Sequence, residues 1–197
     1  GQVKVFRHGD MEHLETLLQS VPLDSGKLII TDGVFSMTGH LAKYDEIHRL
    51  AQKYQARTYV DDAHGLGVIG EGGRGTASHY GLPTDVLMGT FSKSLASQGG
   101  FICSSQEVID WIKHRARTFM FSAALAPSSA ASAMKALEVL VSRPDLVERN
   151  KENASYLKGR FEELGFDTLN TQTCVVPVFI GDDQIAVEIG RASCRER

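Results

Sequence analysis

Short apolar runs alternate with amphipathic segments in the first part of the chain. Residues 28–31 form a short apolar run that contains β-branched residues and is bounded by glycines, which predicts a buried strand. The apolar positions within residues 45–54 recur at helical spacing, and residues 58–60 predict a second strand. Because a strand, a helix and a strand follow one another at this spacing, we expect a βαβ unit and a parallel sheet.

The same alternation continues toward the C-terminus. A glycine-rich stretch at residues 65–81 interrupts it and predicts a break in regular structure. Pro127 favours the start of a helix, and Gly165 favours the end of one. The further predicted elements are strands at residues 86–88, 100–103 and 174–180 and helices at residues 106–115, 126–141 and 146–164.

These elements predict an α/β fold with two domains. Residues 1–143 would form a large domain that is incomplete at its N-terminus, and residues 144–188 would form a linking helix and the start of a smaller C-terminal domain. Residues 189–197 are polar, basic and unrelated to the preceding pattern, and they resemble the translation of a sequencing adapter. We therefore expect a non-native tail on an internal piece of a longer protein.

Composition narrows the classes of function. The net charge of −3 gives no electrostatic basis for binding nucleic acid or an anionic membrane surface. No apolar run in this sequence is long enough for a membrane anchor, and the opening residues have no apolar segment, so we expect no secretory signal. The cysteines show neither metal-ligand spacing nor a disulfide framework, so we expect a reducing, cytoplasmic setting. These cysteines are Cys103, Cys174 and Cys194.

Chemically useful side chains follow the predicted strands. Asp61 comes directly after residues 58–60, and Thr90 and Lys93 follow residues 86–88. In open α/β sheets, ligands bind beyond the carboxyl ends of the strands. A lysine buried there among hydroxyls would attack an aldehyde, and an inward carboxylate would need a cationic partner such as a protonated pyridine. An amine, an acid and hydroxyls together predict pyridoxal phosphate as cofactor.

Spacing alone leaves different interpretations of these residues open. Lys93 also suits a solvated loop, and the pair Asp61 and Asp62 suits a turn in which one side chain caps backbone amides. With His64, the two aspartates form a partial metal-ligand set, but no second His or Cys cluster accompanies them. We therefore expect no metal and favour a cofactor contact for His64.

Two glycine-containing segments look like the loops that bind phosphate or nucleotides. Each of them lacks a feature that such a loop needs. Residues 70–75 follow a loop instead of a strand, and we expect no helix after them. Residues 89–94 carry Ser92 where a nucleotide-binding loop needs glycine before the lysine. Residues 119–125 are apolar around a single hydroxyl and suit a core or a subunit interface.

Five segments together resemble the α-oxoamine synthases, a family of fold-type I pyridoxal phosphate enzymes, and the resemblance covers nearly all of residues 3–183. It implies a large domain with a mostly parallel sheet flanked by helices, plus the start of a C-terminal α+β domain. The segments, in the family's order, are DGVFSMTG at 32–39, VDDAHG at 60–65, GEGGRG at 70–75, GTFSK at 89–93 and FSAALAP at 121–127.

The resemblance implies roles for the residues at the strand ends. Lys93 matches the lysine that binds the cofactor covalently, and Asp61 matches the acid that keeps the pyridine nitrogen protonated. His64 matches a residue near the phenolic oxygen of the cofactor. Thr90 matches a threonine that contacts the cofactor, and Ser92 adds a phosphate contact.

Two serines lie in the outer segments of the resemblance. Ser36 matches a residue that contacts the cofactor, and Ser122 matches a residue that reaches the phosphate of the partner subunit. This role replaces the core interpretation of residues 119–125 and implies a homodimer with a shared active site. The family's ring-stacking aromatic residue and its carboxylate-binding arginine lie outside residues 1–197.

The resemblance also implies a reaction, the decarboxylative condensation of an amino acid with an acyl-CoA to an aminoketone, CoA and CO2. Within the family, residues 90–94 favour the members that join serine to palmitoyl-CoA and form 3-ketosphinganine. The synthesis of 8-amino-7-oxononanoate and the C-acetylation of glycine are the rival reactions in the family. Outside the family, the rivals are a lyase or aminotransferase of the same fold, a plain binding module and a non-catalytic scaffold subunit. The presence of Lys93 argues against the scaffold subunit.

Overall fold

The computed structural model describes the backbone of residues 1–195 and the side-chain surroundings of residues 1–192. One four-stranded sheet runs in the order β1-β2-β3-β4. The first three strands are parallel, as predicted, and β4 is antiparallel to β3 because the short loop between them reverses the chain. The strands are β1 at Leu28–Asp32, β2 at Arg57–Asp61, β3 at Val86–Thr90 and β4 at Gly100–Cys103.

The structure contains eight helices among the described residues, and four of them lie where the sequence predicts helices, at residues 44–53, 106–115, 127–142 and 145–163. Asp10 caps the first helix by accepting a hydrogen bond from the backbone N–H of His13. Among residues 1–195, no helix combines the length and apolarity needed to cross a bilayer. The helices are α1 at Met11–Gln19, α2 at Tyr44–Lys53, α3 at Thr76–Tyr80, α4 at Gln106–Arg115, α5 at Arg117–Met120, α6 at Pro127–Ser142, α7 at Asp145–Glu163 and α8 at Asp183–Arg195.

The hydrophobic core lies between one face of the sheet and the helices α1 and α2. Tyr44, Ile47 and Leu50 share one side of α2 and are fully buried, as the helical spacing predicts. Ile29 and Val60 face them from β1 and β2. Because side chains alternate along a strand, the residues that follow these two, such as Ile30 and Asp61, belong to the opposite face of the sheet.

The glycine-rich stretch contains more regular structure than the sequence predicts. Residues Glu71–Gly73 form a 3-10 turn, and α3 begins at Thr76, so the expectation of no helix after residues 70–75 is wrong. The helix forms because the backbone N–H of Thr76 finds a side-chain acceptor, Asp62, from a distant part of the chain. No periodic pattern reveals such a cap.

The prediction of a strand at residues 174–180 is also wrong, because the structure has no strand there. The backbone pairing of these residues is an isolated bridge between Phe179 and Asp167, and Thr171 and Thr173 hold the preceding turn against the carbonyl of Gly39. An apolar run becomes a strand only where a neighbouring strand offers a full hydrogen-bonding edge. The division into a large domain at residues 1–143 and a smaller one that begins at residue 144 stays a prediction.

The predicted tail overlaps the last helix. α8 continues through residues 189–195 of this tail. Residues 196 and 197, which the tail prediction also includes, lie outside the described residues. The adapter origin of residues 189–197 stays a prediction.

Candidate active site

Two carboxylates lie side by side at the carboxyl ends of β1 and β2. Asp32 and Asp61 are Cα partners in the parallel register, and both are half-buried. Burial raises the pKa of Asp32, the negative charge of Asp61 raises it further, and His64 opposes both effects. Asp61 also accepts a hydrogen bond from the backbone N–H of Ala63 at 3.0 Å. The strand ends thus form a local concentration of negative charge on the face of the sheet away from the core.

The buried carboxylate of the pair Asp61 and Asp62 is Asp62. Its side chain is only 1% exposed. It accepts hydrogen bonds from the backbone N–H of Thr76 at 2.8 Å and from the hydroxyl of Thr76 at 2.7 Å. These two bonds satisfy both oxygens without a cation, so the expectation that the inward carboxylate needs a cationic partner is wrong here. The capping interpretation describes Asp62 correctly.

His64 lies in the turn that follows these aspartates. The carbonyl of Asp62 accepts hydrogen bonds from the backbone N–H groups of Gly65 at 3.0 Å and Leu66 at 2.9 Å. Burial lowers the pKa of His64, the positive charge of Lys93 lowers it further, and Asp32 and Asp61 oppose the shift. His64, Lys93 and the two acids therefore belong to one electrostatic cluster.

Lys93 lies in the loop that joins β3 to β4. The backbone N–H of Phe91 donates to the carbonyl of Gly99 at 2.9 Å, and the N–H of Ser97 donates to the carbonyl of Phe91 at 2.7 Å. Because these bonds close the loop at its base, its middle residues lie outside the sheet. Lys93 and Ser92 are exposed, so the expectation that Lys93 is buried among hydroxyls is wrong for this chain.

Thr90 carries an unsatisfied polar atom at the end of β3. Its Oγ1 is buried, and it is the one such side-chain atom without a hydrogen-bond partner among the residues that the structure describes. Leaving a buried hydroxyl unpaired costs about 1–3 kcal/mol, which folding alone does not recover. The strand ends therefore fit a ligand that offers an acceptor oxygen to Thr90, as the phosphate of pyridoxal phosphate does.

The two serines of the outer segments are both exposed. Ser36 lies in a loop after β1, which is closed by a hydrogen bond from the N–H of Phe35 to the carbonyl of His40 at 2.9 Å. Ser122 follows α5, and its hydroxyl donates to the carbonyl of Thr118 in its own segment. The chain does not bring Ser122 into a hydrogen bond with the cluster around Asp61.

Sequence reasoning included Asp32 in a motif and gave it no role. Its position at a strand end was the available signal, because neighbouring parallel strands bring their carboxyl ends together. A metal-binding group of three or more His, Cys, Asp or Glu side chains does not occur among the described residues. The carboxylate of Asp62 is engaged by Thr76 and is not shared with Asp61 and His64.

Comparison with known proteins gives a family match over nearly the whole chain. The model of the family described as aminotransferase class I and II matches residues 1–196. Serine palmitoyltransferase from Sphingobacterium spiritivorum is 48% identical over 181 residues, which are 91% of this chain and 45% of that protein. 8-Amino-7-oxononanoate synthase from Thermoanaerobacter pseudethanolicus is 45% identical over 192 residues, 96% of this chain and 49% of that protein.

Solved structures give the same fold. A variant serine palmitoyltransferase from S. paucimobilis, solved with a bound PLP–myriocin aldimine, is 34% identical with a TM-score of 0.85. The match covers 92% of this chain and 48% of that one. The prediction of a fold-type I α/β architecture is thus confirmed. This chain spans about half the length of the curated relatives that it matches.

Proposed function

This chain belongs to the aminotransferase class I and II family, and we propose that it carries the cofactor centre of a pyridoxal phosphate enzyme that condenses an amino acid with an acyl-CoA. In this reaction the α-carbon of the amino acid forms a bond to the acyl carbon. The thioester bond breaks and CoA leaves as its thiol, while the amino acid carboxylate leaves as CO2. The product is an aminoketone.

The observation that carries the proposal is the unpaired Thr90 hydroxyl. It lies at the end of β3, on the same edge of the sheet as the cluster of Asp61, His64 and Lys93. A phosphate oxygen would satisfy it, and the exposed hydroxyl of Ser92 would add a second donor. A site that needs an acceptor oxygen beside an acid, an imidazole and an amine suits pyridoxal phosphate better than a neutral ligand.

Each residue of the cluster has a proposed task. Pyridoxal phosphate, when bound, draws electrons from the α-carbon of the amino acid and makes its proton removable. Lys93 would hold the cofactor covalently and, when free, accept that proton. Asp61 would pair with the ring nitrogen and keep its proton in place. Ser36 would contact the cofactor.

The imidazole ring of His64 would be neutral when it contacts the cofactor. Burial is the largest cause that lowers the pKa of His64, and the positive charge of Lys93 lowers it further while this lysine is free. Because the ordinary pKa of histidine lies near 6.5, lowering it makes the ring neutral at pH 7. A neutral imidazole donates one hydrogen bond near the phenolic oxygen without adding charge there.

For the substrates, we propose serine and palmitoyl-CoA, with 3-ketosphinganine as product. The support is the resemblance of residues 90–94 and the serine palmitoyltransferases among the relatives and solved structures. A second candidate is the synthesis of 8-amino-7-oxononanoate, because a relative of that name is 45% identical over 96% of this chain.

We also propose a homodimer with a shared active site, in which Ser122 reaches the phosphate of the partner subunit. Its segment is strongly apolar and exposed, with Phe119 63% and Phe121 80% exposed. Exposed aromatic side chains at this density are typical of a protein–protein interface. The Ser122 hydroxyl lies among them and would become buried with them.

Borohydride trapping tests the proposed cofactor. The full-length protein that contains this chain is loaded with pyridoxal phosphate and reduced, and its peptides are mapped by mass spectrometry. We expect a pyridoxyl group on Lys93 and none on Lys113, an exposed lysine of α4. A scaffold subunit or a plain binding module would show no label on Lys93, and that result would refute the proposal.

A further inference from the structure

We infer that Asp62 is a positioning residue that fixes the turn at residues 61–65, and with it Asp61 and His64, by bracing it against the N-terminus of α3. The inference rests on the proposed function, because the position of Asp61 and His64 matters only if they contact a cofactor. Asp62 would act through these two residues and would not touch the cofactor itself.

The brace consists of a fully buried side-chain pair. Asp62 is 1% exposed and Thr76, the first residue of α3, is 0% exposed. Both oxygens of the carboxylate are used, one by the backbone N–H of Thr76 and one by its hydroxyl. A buried carboxylate without a cation is costly, so a pair of this kind persists where its hydrogen bonds are complete.

Three glycines enclose the same carboxylate. A Cβ added at Gly33 or Gly65 would lie 2.5 Å or 1.9 Å from Asp62 Oδ1, and one added at Gly75 would lie 1.9 Å from Asp62 Oδ2. The end of β1, the His64 turn and the glycine-rich segment thus all close around one side chain. Within residues 70–75, Gly75 is the glycine that lies against Asp62, and the acceptor at the start of α3 is the chain's own carboxylate.

The backbone of Asp62 connects the brace to the cluster. Its N–H donates to the carbonyl of Met88 in β3 at 2.9 Å, and its carbonyl accepts the N–H of Gly65. Asp61 in turn accepts the N–H of Ala63. The path from Thr76 to the His64 turn therefore consists of short hydrogen bonds, so loosening one end allows the imidazole to move.

The substitution Thr76→Val tests the brace with little change in shape. It removes the hydroxyl bond and keeps the backbone bond, so the fold should survive. In the cofactor-free protein, we expect a changed pKa and chemical shift of the His64 ring by NMR. In the loaded protein, we expect a shifted pH midpoint of the cofactor absorbance and a kcat about tenfold lower, with an unchanged KM for the acyl-CoA. Thr76→Ser should restore the His64 pKa and chemical shift, the pH midpoint and the kcat.

The matched control is Thr168→Val. Thr168 is also buried, and its hydroxyl donates to the carboxylate of Glu162 at 2.9 Å in a different part of the chain. This variant should lose similar stability and leave the His64 and cofactor signals unchanged. If Thr76→Val behaves like Thr168→Val while the wild type binds cofactor and turns over, the inference is overturned. If the wild type binds no cofactor, the proposed function fails, and the His64 signal of the cofactor-free protein still decides the brace.

Discussion

Asp32 and Asp61 are direct neighbours at the carboxyl ends of two parallel strands, where the sheet register pairs their Cα atoms. Burial raises the pKa of Asp32, and the negative charge of Asp61 raises it further. The arrangement makes Asp32 a pH-sensitive part of the proposed site.

The first prediction concerns the pH dependence of stability. A raised pKa means that folded Asp32 binds its proton more tightly than the unfolded chain does. Its stabilising effect is therefore present below the ordinary aspartate pKa of about 4 and is lost as pH rises through the raised pKa. As pH rises through the raised pKa of Asp32, the wild type should lose this stability and Asp32→Asn should keep its own. Asp32→Asn should therefore become more stable relative to wild type, which is measured as urea midpoints at a series of pH values. The exposed Asp24→Asn serves as control, and an Asp32→Asn profile parallel to wild type would contradict the account.

The second prediction concerns the unpaired Thr90 hydroxyl. Thr90→Val keeps the shape and removes a buried polar atom without a partner, so the cofactor-free protein should be unchanged or up to about 1 kcal/mol more stable. Its affinity for pyridoxal phosphate should fall about tenfold. Urea unfolding and cofactor titration measure the two effects. Thr84→Val, which loses a formed bond to the carbonyl of Val86, should be less stable than wild type. A destabilised Thr90→Val with unchanged cofactor affinity would refute the assignment.

The third prediction concerns the charge of Lys93. This charge lowers the pKa of His64, so Lys93→Ala should raise that pKa toward its usual value. The titration of the imidazole C–H resonances by NMR in the cofactor-free protein measures the change. Lys113→Ala is the control and should leave the titration as in wild type. An equal or lower pKa of His64 in Lys93→Ala would show that the two side chains do not interact.

The fourth prediction concerns the glycines around Asp62. A Cβ at Gly65 would lie 1.9 Å from the Asp62 carboxylate, so Gly65→Ala should lower the free energy of unfolding by about 1–3 kcal/mol. Gly26→Ala is the matched control, because a Cβ there has nothing within 4 Å. Urea unfolding of both variants gives the comparison. If Gly65→Ala and Gly26→Ala were equally stable, the glycines would not enclose Asp62 tightly, and the prediction would be contradicted.

The sequence predicted the parts of the molecule that local patterns control. The helical spacing of Tyr44, Ile47 and Leu50 and the apolar run at residues 28–31 placed α2 and β1 nearly as observed. The same patterns put Asp61 and Thr90 at strand ends. Sheet geometry then brings them to one edge.

The remaining features depend on contacts between distant residues. Asp62 is buried because Thr76, 14 residues later, supplies both hydrogen bonds, and no local pattern shows which partner a carboxylate finds. The exposure of Lys93 follows from the closed loop at Phe91 and Gly99. The missing strand at residues 174–180 reflects the lack of a full pairing edge, which apolar character does not predict.

The most direct test of the proposed reaction is CoA release by the full-length protein. The protein is loaded with pyridoxal phosphate and given palmitoyl-CoA with serine, glycine or alanine in parallel, and the free thiol of CoA is measured. We predict release with serine, and its loss in Lys93→Ala by a factor on the order of 10² to 10⁴. Release only with glycine or alanine would refute serine as substrate. No release with any of the three, although borohydride traps the cofactor on Lys93, would contradict the condensation itself.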